Sequence, residues 1–373
     1  MNQNWPMFHR DVARRGVTPE ALSAPLKLAW VLQTEGRVFF ASPTVVGGIC
    51  FCGSRDKHLY AVEARSGELL WRFYTGDEGN LSNAVDNGMV FVGSNCDGCL
   101  RAIDTAAGEE KWLYQTLGPV FATPLVIENM VIIGSSDCHL YAVKHDSGKL
   151  LWKQTCGGEL RYASCFSEGK VFSGAGDGYL YANRIEDGKR LWRFKTQAAI
   201  HCSPAVDENV VFCGSDDRHL YAVDASKGEK LWDFRTENSI RSTPAVTESM
   251  VLLTSLDGKC YAVEKFSGQY LWSLATNDSI YCSPVVAGRT VVFGSSDGYL
   301  YGVELSSGRI EWRNHVGSAV ISSPAVAGAM VFVGAEDGCL YAFSSAGPED
   351  GPRSDKGKKA GNTTSEPGGA GSK

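Results

Sequence analysis

Residues His219–Thr236 read HLYAVDASKGEKLWDFRT. Leu220, Ala222 and Leu231 alternate with polar neighbours on either side of a turn at Ala225 to Gly228, so the stretch predicts a β-hairpin whose returning strand carries Trp232. The unit recurs along most of the chain, with Trp at 30, 71, 112, 152, 192, 232, 272 and 312, at spacings of 41, 41 and then 40 residues. A fixed period of this length marks a repeat architecture in which each unit buries its apolar faces against its neighbours.

The full unit is clearest from Ser203 to Thr236, where SPAV, VVFCGS, HLYAVD and EKLWDFRT are four short β-prone runs separated by Gly and Asp turns. Four strands per 40 residues predict the blade of a β-propeller. Asp recurs between the second and third strands at 56, 97, 137, 177, 217, 257, 297 and 337, and Gly between the third and fourth at 67, 108, 148, 188, 228, 268 and 308. Both suit tight turns, Asp by bonding its own backbone and Gly by adopting positive φ, which explains the eight Asp better than a ring of metal ligands does. The last repeat stops at Phe343 with no fourth strand, and the first Trp sits in LKLAWVL with no strands before it. These defects are complementary. Leu26 to Leu32 is expected to complete the blade begun at Ser323, giving an all-β, eight-bladed β-propeller of four antiparallel strands per blade with no open sheet edge.

Residues 1–25 lack periodicity and read as an irregular arm laid over the body. The propeller spans residues 26–343, and residues 344–373, rich in Gly, Ser, Pro and Lys, are too poor in apolar groups to order and read as a disordered tail. A net charge of -6 without a basic stripe argues against nucleic acid. No run of eighteen apolar residues predicts a membrane span. The opening MNQNWPMFHRDVARRG has no apolar core of a secretory signal, so a cytoplasmic, monomeric protein with reduced cysteines is expected.

The run AVDASKGEKLW, with Ala222, Asp224, Gly228 and Trp232, resembles the tryptophan-docking motif of the pyrroloquinoline-quinone (PQQ) type, quinoprotein alcohol dehydrogenase-like propellers. It returns as AVEARSGELLW, AIDTAAGEEKW, AVKHDSGKLLW, ANRIEDGKRLW, AVEKFSGQYLW and GVELSSGRIEW. The resemblance implies that Trp30, Trp71, Trp112, Trp152, Trp192, Trp232, Trp272 and Trp312 wedge between blades, each N–H meeting a neighbouring carbonyl. Enzymes of that family hold PQQ at the channel mouth between a Trp floor and a vicinal disulfide, with Ca²⁺ on acidic and amide side chains. Eight of the nine Trp here are committed to wedging, Trp5 lies in the arm, and no Cys-Cys pair or long insertion exists. No catalytic residue therefore carries over. Other relatives serve as an outer-membrane assembly scaffold, as sensor domains and as propellers appended to adenylate-forming enzymes. The expected function is a non-catalytic scaffold with a protein partner. PQQ-dependent oxidoreductase with Ca²⁺, and small-molecule sensor, stand as alternatives.

Loops entering the innermost strands ring the channel mouth, the usual propeller site for ligands. That position is occupied by Phe40, Asn80, Phe121, Arg161, His201, Arg241, Tyr281 and Ile321. Arg161, His201, Arg241 and Tyr281 in succession, with Phe40 and Phe121 opposite, predict a rim for a small anionic ligand or a protein segment, since Arg presents a planar fork to carboxylates and phosphates. The competing expectation pairs Arg161 and Arg241 with Glu159 and Glu237. Cys96 and Cys99 form CDGC, half of a zinc site, while His58, His139 and His219 share one turn position and read as packing residues.

Overall fold

Each repeat folds as one four-stranded antiparallel sheet. The computed structural model describes residues 4–38, 41–76 and 82–345. In blade 5 the strands are Ala205–Asp207, Val210–Gly214, His219–Asp224 and Lys230–Arg235, in that order from the channel outward. The third strand is covered on both faces, so its centre, Leu220 to Val223, is apolar throughout, whereas the outermost strand alternates exposed and half-buried residues. Eight such sheets form the ring, and the described residues contain no helix.

The ring closes as the incomplete ends require. Lys27–Gln33 pairs antiparallel with Cys339–Ser344, Trp30 opposite Ala342, with an irregularity between Leu28 and Trp30 like that in the other outer hairpins. A strand from the start of the chain thus completes the eighth sheet.

The docking tryptophans hold blade to blade. Trp232 lies opposite Ala222 in its own sheet and donates its indole N–H to the Lys265 carbonyl of the next blade at 3.1 Å. Trp30, Trp71, Trp112, Trp152, Trp192 and Trp272 make the same bond to Ala64, Thr105, His145, Ile185, Ala225 and Leu305 at 2.8–3.1 Å. Trp312 Nε1 has no partner among the described residues. It faces blade 8, where the residues that follow the third strand from 346 onward lie outside the described residues. The turn glycine has a second role beyond its geometry: at Gly228, φ is +74°, and an added Cβ would lie 2.7 Å from the Trp192 indole.

The turn aspartates are structural staples. Asp217 accepts from the His219 N–H at 3.0 Å, from the Tyr221 hydroxyl at 2.9 Å and from the Gln197 N–H of the preceding blade at 2.8 Å. His58, His139 and His219 each set Nδ1 2.9–3.1 Å from the carbonyl of the Asp two residues earlier, as packing residues of the same turn.

The N-terminal arm takes a path that its lack of periodicity gave no means to foresee. Instead of lying over the body it enters the ring and hydrogen-bonds the inner edges of successive blades. Trp5 pairs with Val45 of blade 1, and the N–H groups of Val85, Phe166, Val206, Val246 and Val286 donate to the carbonyls of Pro6, Val12, Ala13, Arg15 and Gly16 at 2.7–2.9 Å. Val17–Thr18 then runs parallel to Val285–Ala287. These inner-edge donors would otherwise face the channel unpaired. The buried Arg14 guanidinium anchors the crossing through the carbonyls of Phe8 at 2.5 Å, Pro124 at 3.1 Å and Ser164 at 3.1 Å. Burial draws its pKa down to about 10, which still leaves it charged at neutral pH.

Candidate functional site

Above the arm the channel opens into a cavity of about 660 Å³ whose lining includes Phe8 of the arm. Of the rim positions, Phe121, Arg161, Arg241, Tyr281 and Ile321 line it. Phe40, like Asn80, lies outside the described residues. His201 does not line it and is bonded through Nδ1 to Asp216 at 2.7 Å.

The two arginines are not open forks. Arg161 bonds Glu159, as the competing expectation had it, and its guanidinium lies 5.1 Å from the centre of the Phe121 ring. Arg241 bonds Asp216 at 2.9 and 3.3 Å, whereas Glu237 instead holds Lys259 at 2.6 Å. Asp216 was not among the residues singled out from sequence, because it lies 25 residues before Arg241, on the turn of the preceding blade. Burial alone would raise the Asp216 carboxyl, but the hydrogen bonds from His201 and Arg241 outweigh it and hold the group down at about 2. The Asp216 carboxylate is therefore ionised at neutral pH and paired with Arg241. Tyr162 packs on it, its ring 6.0 Å from that of His201, and burial pushes the Tyr162 hydroxyl pKa up, so it stays protonated.

A second set of lining residues repeats from blade to blade. Ser42, Ser82, Thr123, Ala163, Ser203, Thr243, Ser283 and Ser323 hold one repeat position and all line the cavity, giving a ring of hydroxyls broken at Ala163. Some are used within the ring: Ser283 accepts from Thr243 N–H at 2.9 Å, Ser323 from Ser283 N–H at 2.9 Å, and Ser42 from Ser323 N–H at 3.2 Å. The signal was present in the recurring SP and TP pairs, which read only as strand starts.

A PQQ site with Ca²⁺ can be tested against these residues. Trp5 is buried on Val45 and the other eight Trp sit in the outermost strands, so no indole lines the cavity. Among the described residues no group of three or more His, Cys, Asp or Glu is placed to hold a metal ion. The side chains present do not fit that cofactor with its ion. Cys99 bonds Gln115 at 3.1 Å and Cys96 is exposed, so CDGC gathers no further ligands among the described residues.

Comparison with known proteins places this geometry. The family described as "Beta-alanine-activating enzyme, beta-propeller" matches residues 122–351, more than half of the chain, and the family described as "Outer membrane protein assembly factor BamB" matches residues 55–160. The dehydrogenase subunit of a quinone alcohol dehydrogenase from Komagataeibacter europaeus is 26% identical over 184 residues, covering 40% of this chain and 25% of that protein. The match thus spans about a quarter of that relative. Among solved structures, BamB from Moraxella catarrhalis superposes with a TM-score of 0.73 at 18% identity, covering 86% of this chain and 98% of that one. Quinohemoprotein alcohol dehydrogenase from Comamonas testosteroni superposes with a TM-score of 0.82 at 15% identity, covering 96% and 83%. At these identities the two structures speak for the fold alone.

Proposed function

The chain belongs to the beta-propeller family of the beta-alanine-activating enzyme, with the PQQ-like repeats of quinoprotein alcohol dehydrogenases, and from that premise we propose that it is a non-catalytic module whose channel mouth holds a segment of a protein partner. The observation that carries this reading is the 660 Å³ mouth cavity, floored by Phe8 and walled by Phe121, Tyr162 and Tyr281, a size and lining suited to one or two inserted side chains. Support also comes from the assembly-factor family match over residues 55–160. The commitment of the indoles to blade contacts favours a scaffold over an oxidoreductase. The paired arginines weaken the case for a small anion, because a ligand carboxylate has to displace Glu159 or Asp216.

Two measurements test the proposal. Titration with PQQ and Ca²⁺, followed by Trp fluorescence, is expected to give no saturable change, and a saturable one overturns the non-catalytic reading. Peptide-display selection on the chain, with a Phe121→Ala, Tyr281→Ala variant as counter-selection, is expected to yield peptides that need those side chains. If every selected peptide binds the variant equally well, the mouth is not the docking site.

A further inference from the structure

The charge at the mouth is unevenly spent. Arg161 and Arg241 are each matched by an acid, Glu159 and Asp216. Two further carboxylates, Asp278 and Glu336, line the same cavity on the side of blades 6 to 8; Asp278 accepts the Ser279 N–H at 2.6 Å, and neither has an ion-pair partner among the described residues. Arg55, on the turn of blade 1 equivalent to that of Glu336, does not line the cavity. The mouth therefore carries two cancelled cations and two uncancelled anions.

A second, independent feature has the same sense. Thr123, Ser203 and Thr243 are only 7%, 3% and 2% exposed, line the cavity, and their hydroxyls have no hydrogen-bond partner among the described residues. These hydroxyls open onto the cavity rather than being sealed in the core, so a polar occupant can take the place of solvent on them. Each hydroxyl oxygen accepts as readily as its hydrogen donates. A cationic head with several N–H donors thus finds hydroxyl acceptors below, carboxylates to one side and the aromatic rings of Phe121 and Tyr281 around its stem.

We infer that the occupant of the mouth is a basic side chain, the ammonium or guanidinium head of a Lys or Arg on a partner peptide, inserted toward the hydroxyl ring with Asp278 and Glu336 as its counter-charges. This names the ligand chemistry of the docking reading above and rests on it. It reverses the anionic ligand that Arg161 and Arg241 suggest in the sequence.

The test uses arrays of nonapeptides with randomised flanks and a central Lys, Arg, Glu or Leu, probed with the labelled full chain. Lys- and Arg-centred arrays are expected to bind roughly tenfold better than Glu-centred ones, the size of effect that one to two partly exposed charge pairs supply. Asp278→Asn with Glu336→Gln is expected to bring them down to the Leu level at an unchanged melting temperature. A preference for Lys and Arg that survives this double variant reflects the overall negative charge and overturns the inference. Preference for Glu-centred peptides, abolished by Arg161→Ala with Arg241→Ala, overturns it while leaving the docking reading intact. If binding of every class is indifferent to both double variants and to Tyr281→Ala, the inference and the docking reading fall together.

Discussion

Gly228→Ala separates what a turn needs from what the neighbouring blade needs. Gly228 has φ +74°, and a Cβ built there lies 2.7 Å from Cδ2 and Cε3 of Trp192. Gly169 has a matching φ of +73° but nothing within 4 Å of its Cβ position. Both substitutions carry the left-handed penalty of an L-residue, about 1–2 kcal/mol. Only Gly228→Ala also pushes an indole that is wedged between sheets and bonded to the Ala225 carbonyl at 3.1 Å. Overpacking of that kind adds roughly 1–3 kcal/mol. Gly228→Ala is therefore expected to cost about 2–5 kcal/mol and Gly169→Ala about 1–2 kcal/mol. Urea unfolding followed by far-UV circular dichroism measures both. Equal losses refute the idea that these glycines are placed by the indole of the preceding blade, and leave turn geometry as their whole explanation.

Other expectations test the arm, the closing strand and the mouth. Arg14→Met strands the carbonyls of Phe8, Pro124 and Ser164, so a loss of about 3 kcal/mol or more is expected, with faster amide exchange at Val206 and Val246. Arg14→Lys should not restore it, since an ammonium lacks the planar fork that reaches three acceptors. Trp30→Ala removes an indole packed 5.9 Å from Phe332 and bonded to Ala64. It should cost about 3–5 kcal/mol and loosen the closure, read as protease cleavage between residues 20 and 33. The Asp216 carboxyl lies at about 2 in the folded protein, below its unfolded value, so its contribution is fully present above about pH 4 and is lost as pH falls through 2. Asp216→Asn should flatten the acid limb of the stability profile within that window, and an unchanged limb shows that the Arg241 and His201 contacts contribute nothing.

The residues at the mouth divide by how far apart in sequence their partners lie. Arg161 and Glu159 are two residues apart on one loop, and that pair was legible in the sequence. Arg241 and Asp216 are 25 residues apart on loops of neighbouring blades, and sequence proximity pointed to Glu237 instead. The hydroxyl ring was visible as a recurring Ser or Thr, but its convergence on one cavity was not.

What the chain alone determined is the repeat: period-2 alternation, Asp and Gly turns and a Trp every 40 or 41 residues are short-range signals that specify a hairpin wherever they occur. The closure followed too, because an incomplete first repeat and an incomplete last one leave one pairing that removes both edges. Only the tertiary structure decided the course of residues 4–20 along the inner edges of the blades, the partners of the Arg241 guanidinium and the surplus of carboxylates at the mouth. Those depend on curvature. Eight sheets must wrap into a ring before their inner edges, rim loops and hydroxyls face one another, and no local pattern encodes which groups then meet.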